Sequence, residues 1–403
     1  MKIVYITAQT PWGKGETFIL EEMLEVKRQG IDLLIIPRNP PKGVFHKEAN
    51  ELLKNAVWFP LINFKMAISF LKALLTKIFL WKILGVLVKY SRNPWILIKN
   101  LAVLPKGIFI AEMIRKKNIE HIHAHWGSTT ATMAYITSRI TGIPWSFTLH
   151  RWDIAENNML KEKMKPSKFV RIISEHGRNE LLEIIGTEYY KEKIHVIHMG
   201  VKIPESVELK EKNEPENFVI VTPANLVEKK GHKYLIEACF LLIKQGIKNF
   251  RCFFYGEGPL KNQLKNLINE KRLKDYIKMP GIFSHEELMK MYENKDIDLV
   301  VLPSIITKEG ELEGIPVALM EAMSYKIPVI STNTGGIPEL LSNGAGIIVK
   351  EKSSEKLAEA IIKVVKNENL VKKLSKNGYQ KAKEEFNIEK NTKILLELIQ
   401  QSL

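Results

Sequence analysis

Cysteine is nearly absent: only Cys239 and Cys252 occur in 403 residues, both in apolar surroundings. Two such thiols make no disulfide framework and read as small core residues in a reducing compartment. No Cys/His cluster has metal-ligand spacing. His121, His123 and His125 alternate along one strand face, but no carboxylate joins the run, so a metal triad lacks its supporting partners. No apolar run reaches the roughly 18–20 residues of a membrane span, because Lys65, Lys72, Lys77, Lys82 and Lys89 interrupt the candidate stretch. The start, KIVYIT, is short and leads into a turn, so it reads as a strand and not as a signal peptide. No short-period repeat and no low-complexity tract occurs.

Acid is scarce in one region. Residues 54–117 hold twelve Lys or Arg and a single acid, Glu112, in a chain of net charge +15. Trp58, Trp81 and Trp95 are among the aromatics of the same stretch. The pattern suits a basic, amphipathic helix pair lying on an anionic membrane surface. A solvated lysine face over a packed core and a nucleic-acid contact are the alternatives.

What is present describes a soluble globular protein, 45% apolar and 26% charged, long enough for two domains. Strand and helix signals alternate throughout, which implies α/β domains with parallel sheets and right-handed crossovers. Pro204, Pro215 and a charge-rich polar run mark residues 201–217 as a linker between residues 1–200 and 218–385. The last stretch, 386–403, reads as a helix able to cross back onto the first domain. In doubly wound sheets ligands bind outside the carboxyl ends of the strands, so residues just after strands are the candidates for chemistry.

Foremost among these is EGELEGIPVALMEAM, where Glu313 and Glu321 stand with seven residues between them after the strand DLVVLPS. Pro316 suits the first helical position, and the N–H groups of Gly314, Ile315 and Val317 at the helix start suit an anion such as phosphate. An acidic helix start that merely favours the helix dipole is the plainer alternative. Lys230, followed by Gly231, places an ammonium at a strand edge, a group suited to phosphate. Gly256, Glu257 and Gly258 form a tight turn ahead of Pro259, able to cradle a base or simply to close a βα unit. In the first half, Gly13, Gly15 and Glu16 form a strand-to-helix loop where backbone can approach a ligand. His150, Arg151 and Asp153 follow another strand, and a His there can donate to an oxygen or act as acid or base.

Set in order, these pieces resemble the family-four retaining glycosyltransferases of GT-B fold. The resemblance rests on LVEKKGHKYLIEA (226–238), YGEGPLKNQL (255–264), PGIFSHEEL (280–288), DLVVLPS (298–304) and EGIPVALMEAM followed by PVISTNTGGIPEL. In the first half, GETFI, HIHAHWGSTTA and PWSFTLHRWDI look like the bacterial exopolysaccharide branch, including colanic-acid-type transferases. The resemblance implies two Rossmann-like domains facing across a deep cleft, with a nucleotide-diphosphate sugar bound by the second and the acceptor by the first. It implies that Glu313 holds the donor sugar, Glu321 the ribose, and Lys230 the diphosphate, with amides of Gly314 and Ile315. His150 would face the transferred sugar, and Pro316, Gly256, Glu257, Gly258 and Ile282 would complete the donor site. Gly13, Gly15, Glu16, Arg151 and Asp153 would belong to the acceptor side. No metal and no cofactor are expected, and the place of action would be the cytoplasmic membrane face, on a lipid-linked or saccharide acceptor. The sequence departs from many relatives in carrying Asn225 where they have Arg, and Lys229 or Arg151 would then complete the phosphate clamp. A nucleotide-sugar epimerase or phosphorylase of the same fold, and a non-catalytic nucleotide-sugar or nucleic-acid binding protein, are the competing readings.

Overall fold

The computed structural model describes residues 1–13, 16–40, 43–44, 46–61, 63–76, 78–186, 188–207, 217–282 and 284–403. Gly15 therefore lies outside the described residues, as does most of the expected linker. The chain divides into two compact units, Met1–Met199 with Ile388–Leu403, and Gly200–Asn387.

In the first unit the order is β1 (Lys2–Thr7), α1 (Thr17–Arg28), β2 (Asp32–Pro37), α2 (Asn50–Leu53), α3 (Phe64–Thr76), α4 (Ile78–Tyr90) and α5 (Pro94–Ile114). There follow β3 (His121–His125), α6 (Thr129–Thr141), β4 (Trp145–Leu149), α7 (Arg151–Glu156), α8 (Leu160–Met164), β5 (Val170–Ile172), α9 (Glu175–Ile185) and β6 (Ile194–Val196). All six strands are parallel, in the order β2-β1-β3-β4-β5-β6. Near-continuous Ile, Val and Leu in β1 and β2 fits strands covered on both faces. The first face packs against α5 and α6 through Ile108, Ile110, Met133, Trp145 and Phe147. Each such fully buried side chain contributes roughly 1.5–3 kcal/mol from apolar burial.

The second unit runs β7 (Phe218–Pro223), α10 (His232–Lys244), β8 (Phe250–Tyr255), α11 (Lys261–Glu270), β9 (Ile277–Gly281), α12 (His285–Glu293) and β10 (Leu299–Leu302). It continues with α13 (Val317–Ser324), β11 (Val329–Thr332), α14 (Ile337–Leu340), β12 (Ile347–Val349), α15 (Ser354–Lys366) and α16 (Glu368–Glu385). Its parallel sheet has the order β12-β11-β10-β7-β8-β9. The order reverses between β7 and β10, and in the first unit between β1 and β3. Those two reversals are where doubly wound sheets open a crevice for ligands.

The last helix, α17 (Ile388–Gln401), belongs to the first unit. Its Leu395, Leu396 and Ile399 join Ile3, Tyr5, Leu20 and Met23 in the core on the α1 side of the sheet. The expected basic helix pair is three helices, α3, α4 and α5. Their inner faces bury Met66, Ala73, Ile83, Leu87 and Ile108, while Phe64, Ile68, Leu71 and Leu75 of α3 are at least half exposed. Among the described residues, no helix is long and apolar enough to cross a membrane.

Candidate functional site

At the second unit's reversal, the turn after β7 and the loop after β10 are tied together. Ile305 N donates to the Lys229 carbonyl at 2.8 Å, and a Cβ on Gly231 would stand 1.9 Å from the Pro303 carbonyl oxygen. Gly231 also has φ +66, a left-handed conformation that glycine adopts without strain. This close approach brings Lys230 Nζ to 3.0 Å from Glu313 Oε2, and Lys229 Nζ to 3.8 Å from Glu313 Oε1. Glu313 is buried, and its Oε1 accepts no hydrogen bond among the described residues; the buried Ser304 Oγ is likewise unpartnered. Buried polar atoms are nearly always satisfied, so an open acceptor oxygen on Glu313 beside two ammonium groups is an arrangement able to take a polar atom from outside the chain.

The loop carrying Glu313 is fixed from the other side by the glycines after β11. Gly335 has φ +55 and no room for a Cβ, which would meet the Glu313 carbonyl oxygen at 1.9 Å, and Gly336 N donates to the Gly314 carbonyl at 3.2 Å. Pro316 does not take the first helical position expected for it. Its backbone is extended (φ −73, ψ 118), so it is the N-cap, and its carbonyl accepts from Leu319 N at 3.1 Å. The N–H groups of Gly314 and Ile315 make no hydrogen bond among the described residues.

Glu321 lies on α13, and its Oε1 is 2.8 Å from His285 Nε2. Gly256 and Gly258 have a packing reason to be glycine: a Cβ on either would meet the carbonyl oxygen of Ala224 (2.1 Å) or of Leu226 (2.4 Å). Glu257 accepts from Lys261 Nζ at 2.5 Å. Ile282 is exposed at the end of β9, and Asn225 is exposed after β7. Of the two residues expected to stand in for its missing charge, Lys229 is beside Glu313, whereas Arg151 faces Glu180 at 3.7 Å in the first unit. Sequence reasoning does not single out Ser304 or His285; both lie inside quoted motifs, but only the folded geometry shows what they meet.

The first unit has its own polar centre at the β1/β3 reversal. Glu16 closes the β1–α1 loop by accepting from Gln9 N (2.9 Å), Thr10 N (2.7 Å) and Trp126 Nε1 (2.7 Å). Gly13 packs against Gln9 with φ +104. Asp153 ties two strand ends together, accepting from His150 N at 2.9 Å and Ser128 N at 3.0 Å. Burial pushes its carboxyl up to about 7, against the pull of the backbone hydrogen bonds it accepts. His150 is buried, and its Nε2 is 2.8 Å from His125 Nε2. Burial and the neighbouring His125 hold its pKa well below the usual imidazole value. Behind His125 stands the buried carboxylate of Glu22, 3.5 Å from its Nδ1, which also accepts from Tyr5 Oη at 2.7 Å and bonds to Arg171. Burial alone would raise Glu22, but Arg171 and His125 hold it well below the usual carboxylate range. His121 and His123 are bridged by Ser146 Oγ, 2.8 Å from each, and burial lowers the first to about 3. Among the described residues no three His, Cys, Asp or Glu side chains are gathered as metal ligands.

Comparison with known proteins matches this arrangement to a family. Residues 205–381, which carry Lys229, Lys230, Ser304, Glu313 and Glu321, match the family described as glycosyl transferases group 1. That match takes in nearly the whole of the second unit, Gly200–Asn387. The chain is also 36% identical over 211 residues to a putative colanic acid biosynthesis glycosyltransferase, WcaL, of Salmonella typhimurium, covering 52% of this chain and 51% of that one. Against the amylovoran biosynthesis glycosyltransferase AmsK of Erwinia amylovora it is 35% identical over 252 residues, covering 59% of each. The matches thus span between half and three-fifths of those relatives. Among solved structures, Anabaena HepE in complex with UDP superposes over 100% of both chains with a TM-score of 0.72 at 17% identity. A glycosyltransferase from Rickettsia africae covers 99% of this chain and 98% of its own, with a TM-score of 0.69 at 21% identity. The fold is therefore GT-B, two doubly wound α/β units.

Proposed function

We propose that the protein transfers a hexose from a nucleotide-diphosphate sugar to a saccharide or lipid-linked acceptor in the synthesis of a cell-surface polysaccharide, with retention at the anomeric carbon. The observation that carries this reading is Glu313 with an open buried oxygen, flanked by Lys229 and Lys230 at the reversal of the second sheet. WcaL and AmsK, named for colanic acid and amylovoran synthesis, support the product class, and HepE with UDP supports the donor class.

In this reading the bond between the anomeric carbon and the diphosphate breaks, and negative charge grows on the leaving oxygen. Two ammonium groups and the unbonded amides of Gly314 and Ile315 stabilise that charge from fixed positions, which costs no reorganisation at the moment of reaction. Glu313 Oε1 accepts a donor-sugar hydroxyl, and Glu321, steadied by His285, accepts from the ribose. No pair of strong nucleophiles accompanies Glu313 among the described residues. The acceptor is therefore assigned to attack from the face the diphosphate leaves, giving its proton to the departing phosphate, and no metal or cofactor is assigned. Incubation with a panel of radiolabelled nucleotide sugars tests the reading. Label should enter acceptor with the donor's anomeric configuration, and nucleoside diphosphate should be released only when acceptor is supplied. Release without acceptor, or wild-type turnover by Glu313→Ala, sinks it.

Peripheral binding to the cytoplasmic face of the membrane belongs to the same proposal. Phe64, Ile68, Leu71 and Leu75 form one exposed stripe of α3 at helical spacing, and Lys72, Lys82 and Lys89 are exposed nearby in sequence. The charge complements anionic lipid headgroups. Flotation should recover the protein with anionic vesicles and not with neutral ones; equally low recovery with both refutes it.

A further inference from the structure

The first unit contains a cavity of about 440 Å³ at the carboxyl ends of four adjacent strands. Ala8 follows β1, Arg38 follows β2, Trp126 and Ser128 follow β3, and Trp152 follows β4; Lys99 of α5 and Glu156 of α7 close its side. The sheet order reverses here, and the volume lies in the range of small-ligand sites.

The walls are fixed in advance. Lys106, fully buried, donates to the carbonyls of Pro37 (2.8 Å), Arg38 (2.6 Å) and Phe59 (3.0 Å), pinning the turn that presents Arg38. Lys163, also fully buried, donates to the carbonyls of Gly127 and Ser128 at 2.9 Å, pinning the turn after β3. Trp126 is held at φ +84, a conformation rarely adopted by a bulky side chain. Its Nε1 donates to Glu16 at 2.7 Å and its ring lies 4.4 Å from that of His150. Strain of this kind persists only where surrounding contacts impose it, and it concentrates at ligand sites.

The chemistry of the lining is specific. Trp152 is 66% exposed, a large apolar face spent on solvent unless something covers it. Indole faces pack against the C–H face of a sugar ring. Arg38 gives one bond, 2.6 Å, to Thr129 Oγ1, from a guanidinium that carries five donors in a planar fork. Such a fork matches a phosphate or carboxylate. Lys99 is paired with Glu156 at 2.8 Å, and the other acid of the lining, Asp153, already has both oxygens engaged, which leaves Arg38 as the cation open to an oxyanion.

We propose that this cavity is the acceptor subsite and that it selects an anionic saccharide, with Arg38 taking the oxyanion and Trp126 and Trp152 taking the ring. This rests on the transfer reading above and adds the charge of the acceptor to it. The oxyanion has two sources, a diphosphate linking the sugar to lipid or a carboxylate on the sugar itself. All seven tryptophans lie within residues 1–152, so tryptophan fluorescence reports on this unit alone.

The test titrates the full chain with methyl glucoside, methyl glucuronide and farnesyl-diphosphoryl glucose. At least one anionic probe should bind at least tenfold more tightly than methyl glucoside; a preference for the glucuronide or for the farnesyl probe names the source. Arg38→Gln should erase that preference while leaving methyl glucoside binding in place, and Arg38→Lys should restore part of it. Trp152→Ala, at an exposed position that leaves the core alone, should weaken every probe about tenfold. Lys230→Ala should change none of these affinities. Equal binding of charged and neutral sugars, an unaltered preference in Arg38→Gln, or loss of binding in Lys230→Ala overturns the proposal. So does absence of binding in a protein that transfers sugar. Binding of anionic probes by a protein that transfers nothing supports the site and counts against the transfer reading alone.

Discussion

Removing the carboxylate and removing the ammonium from the Lys230–Glu313 pair should have unequal consequences for stability. Lys230→Ala leaves a carboxylate whose side chain is 9% exposed, with only Lys229 at 3.8 Å to offset it. Stranding a buried charge costs about 3 kcal/mol or more. Glu313→Gln leaves instead two lysines whose side chains are 17% and 29% exposed, and their flexible stems can carry the ammonium groups into water. That change should cost about 1 kcal/mol. The double variant should resemble Glu313→Gln, because the stranded carboxylate is gone, giving a coupling of about 3 kcal/mol. For a unit of this size each kcal/mol moves the midpoint by roughly 2–4 °C, so Lys230→Ala should melt roughly 6–12 °C lower and Glu313→Gln roughly 2–4 °C lower. Calorimetry is the assay, since the second unit has no tryptophan to follow. Both single variants should lose about 10²–10³ in turnover, the usual worth of one fixed group facing developing charge. Equal destabilisation by the two single changes, or a double variant as unstable as their sum, refutes the reasoning.

Gly231→Ala places a Cβ 1.9 Å from a carbonyl oxygen in a left-handed conformation, so it should cost about 1–3 kcal/mol and lower turnover by moving Lys230; a melting curve and rate equal to wild type would contradict it. His232 is buried with neither ring nitrogen bonded among the described residues, and burial holds it at about 3 against an ordinary 6.5. Between those values the unfolded chain binds the extra proton, so the second unit should lose stability as pH falls from 6.5 toward 3, by up to about 1.4 kcal/mol per pH unit. His232→Phe should flatten that slope in calorimetric scans, and an unchanged slope would assign it elsewhere. Arg171→Met strands the buried Glu22 and should destabilise the first unit by about 3–5 kcal/mol, with Glu22→Gln in the same chain recovering much of it; tryptophan fluorescence in urea reads both.

Much of this architecture was legible before any coordinates. The strand Lys2–Thr7 has the bounds that KIVYIT predicts, and the alternation of elements implied the two parallel α/β sheets. The grouping of Lys230 with Glu313 followed from both lying just after strands. Pro316 fell one residue short because helix starts depend on ψ, which residue type leaves open at that position. The Glu22–Arg171–His125 centre had no signal at all: Arg171 lies 149 residues from Glu22, and each reads alone as ordinary. Arg38, Lys99 and Trp126 escaped for the same reason, since their cavity is assembled from five separate stretches. Glycines at 256 and 258 suited either a cradle for a base or the closure of a βα unit, and the close contacts that require glycine there are with the chain's own backbone.

The helix α17 carries a consequence for synthesis. Its Leu395, Leu396 and Ile399 close the α1 side of the first core, yet they leave the ribosome after every residue of the second unit. Domains usually fold in the order they emerge. Here the later-made unit can finish first, while the earlier-made one waits with Ile3, Leu20 and Met23 uncovered. For that interval a nascent chain offers chaperones an apolar surface at its beginning, and a ribosome stalled before codon 388 would hold a finished second unit tethered to an unfinished first.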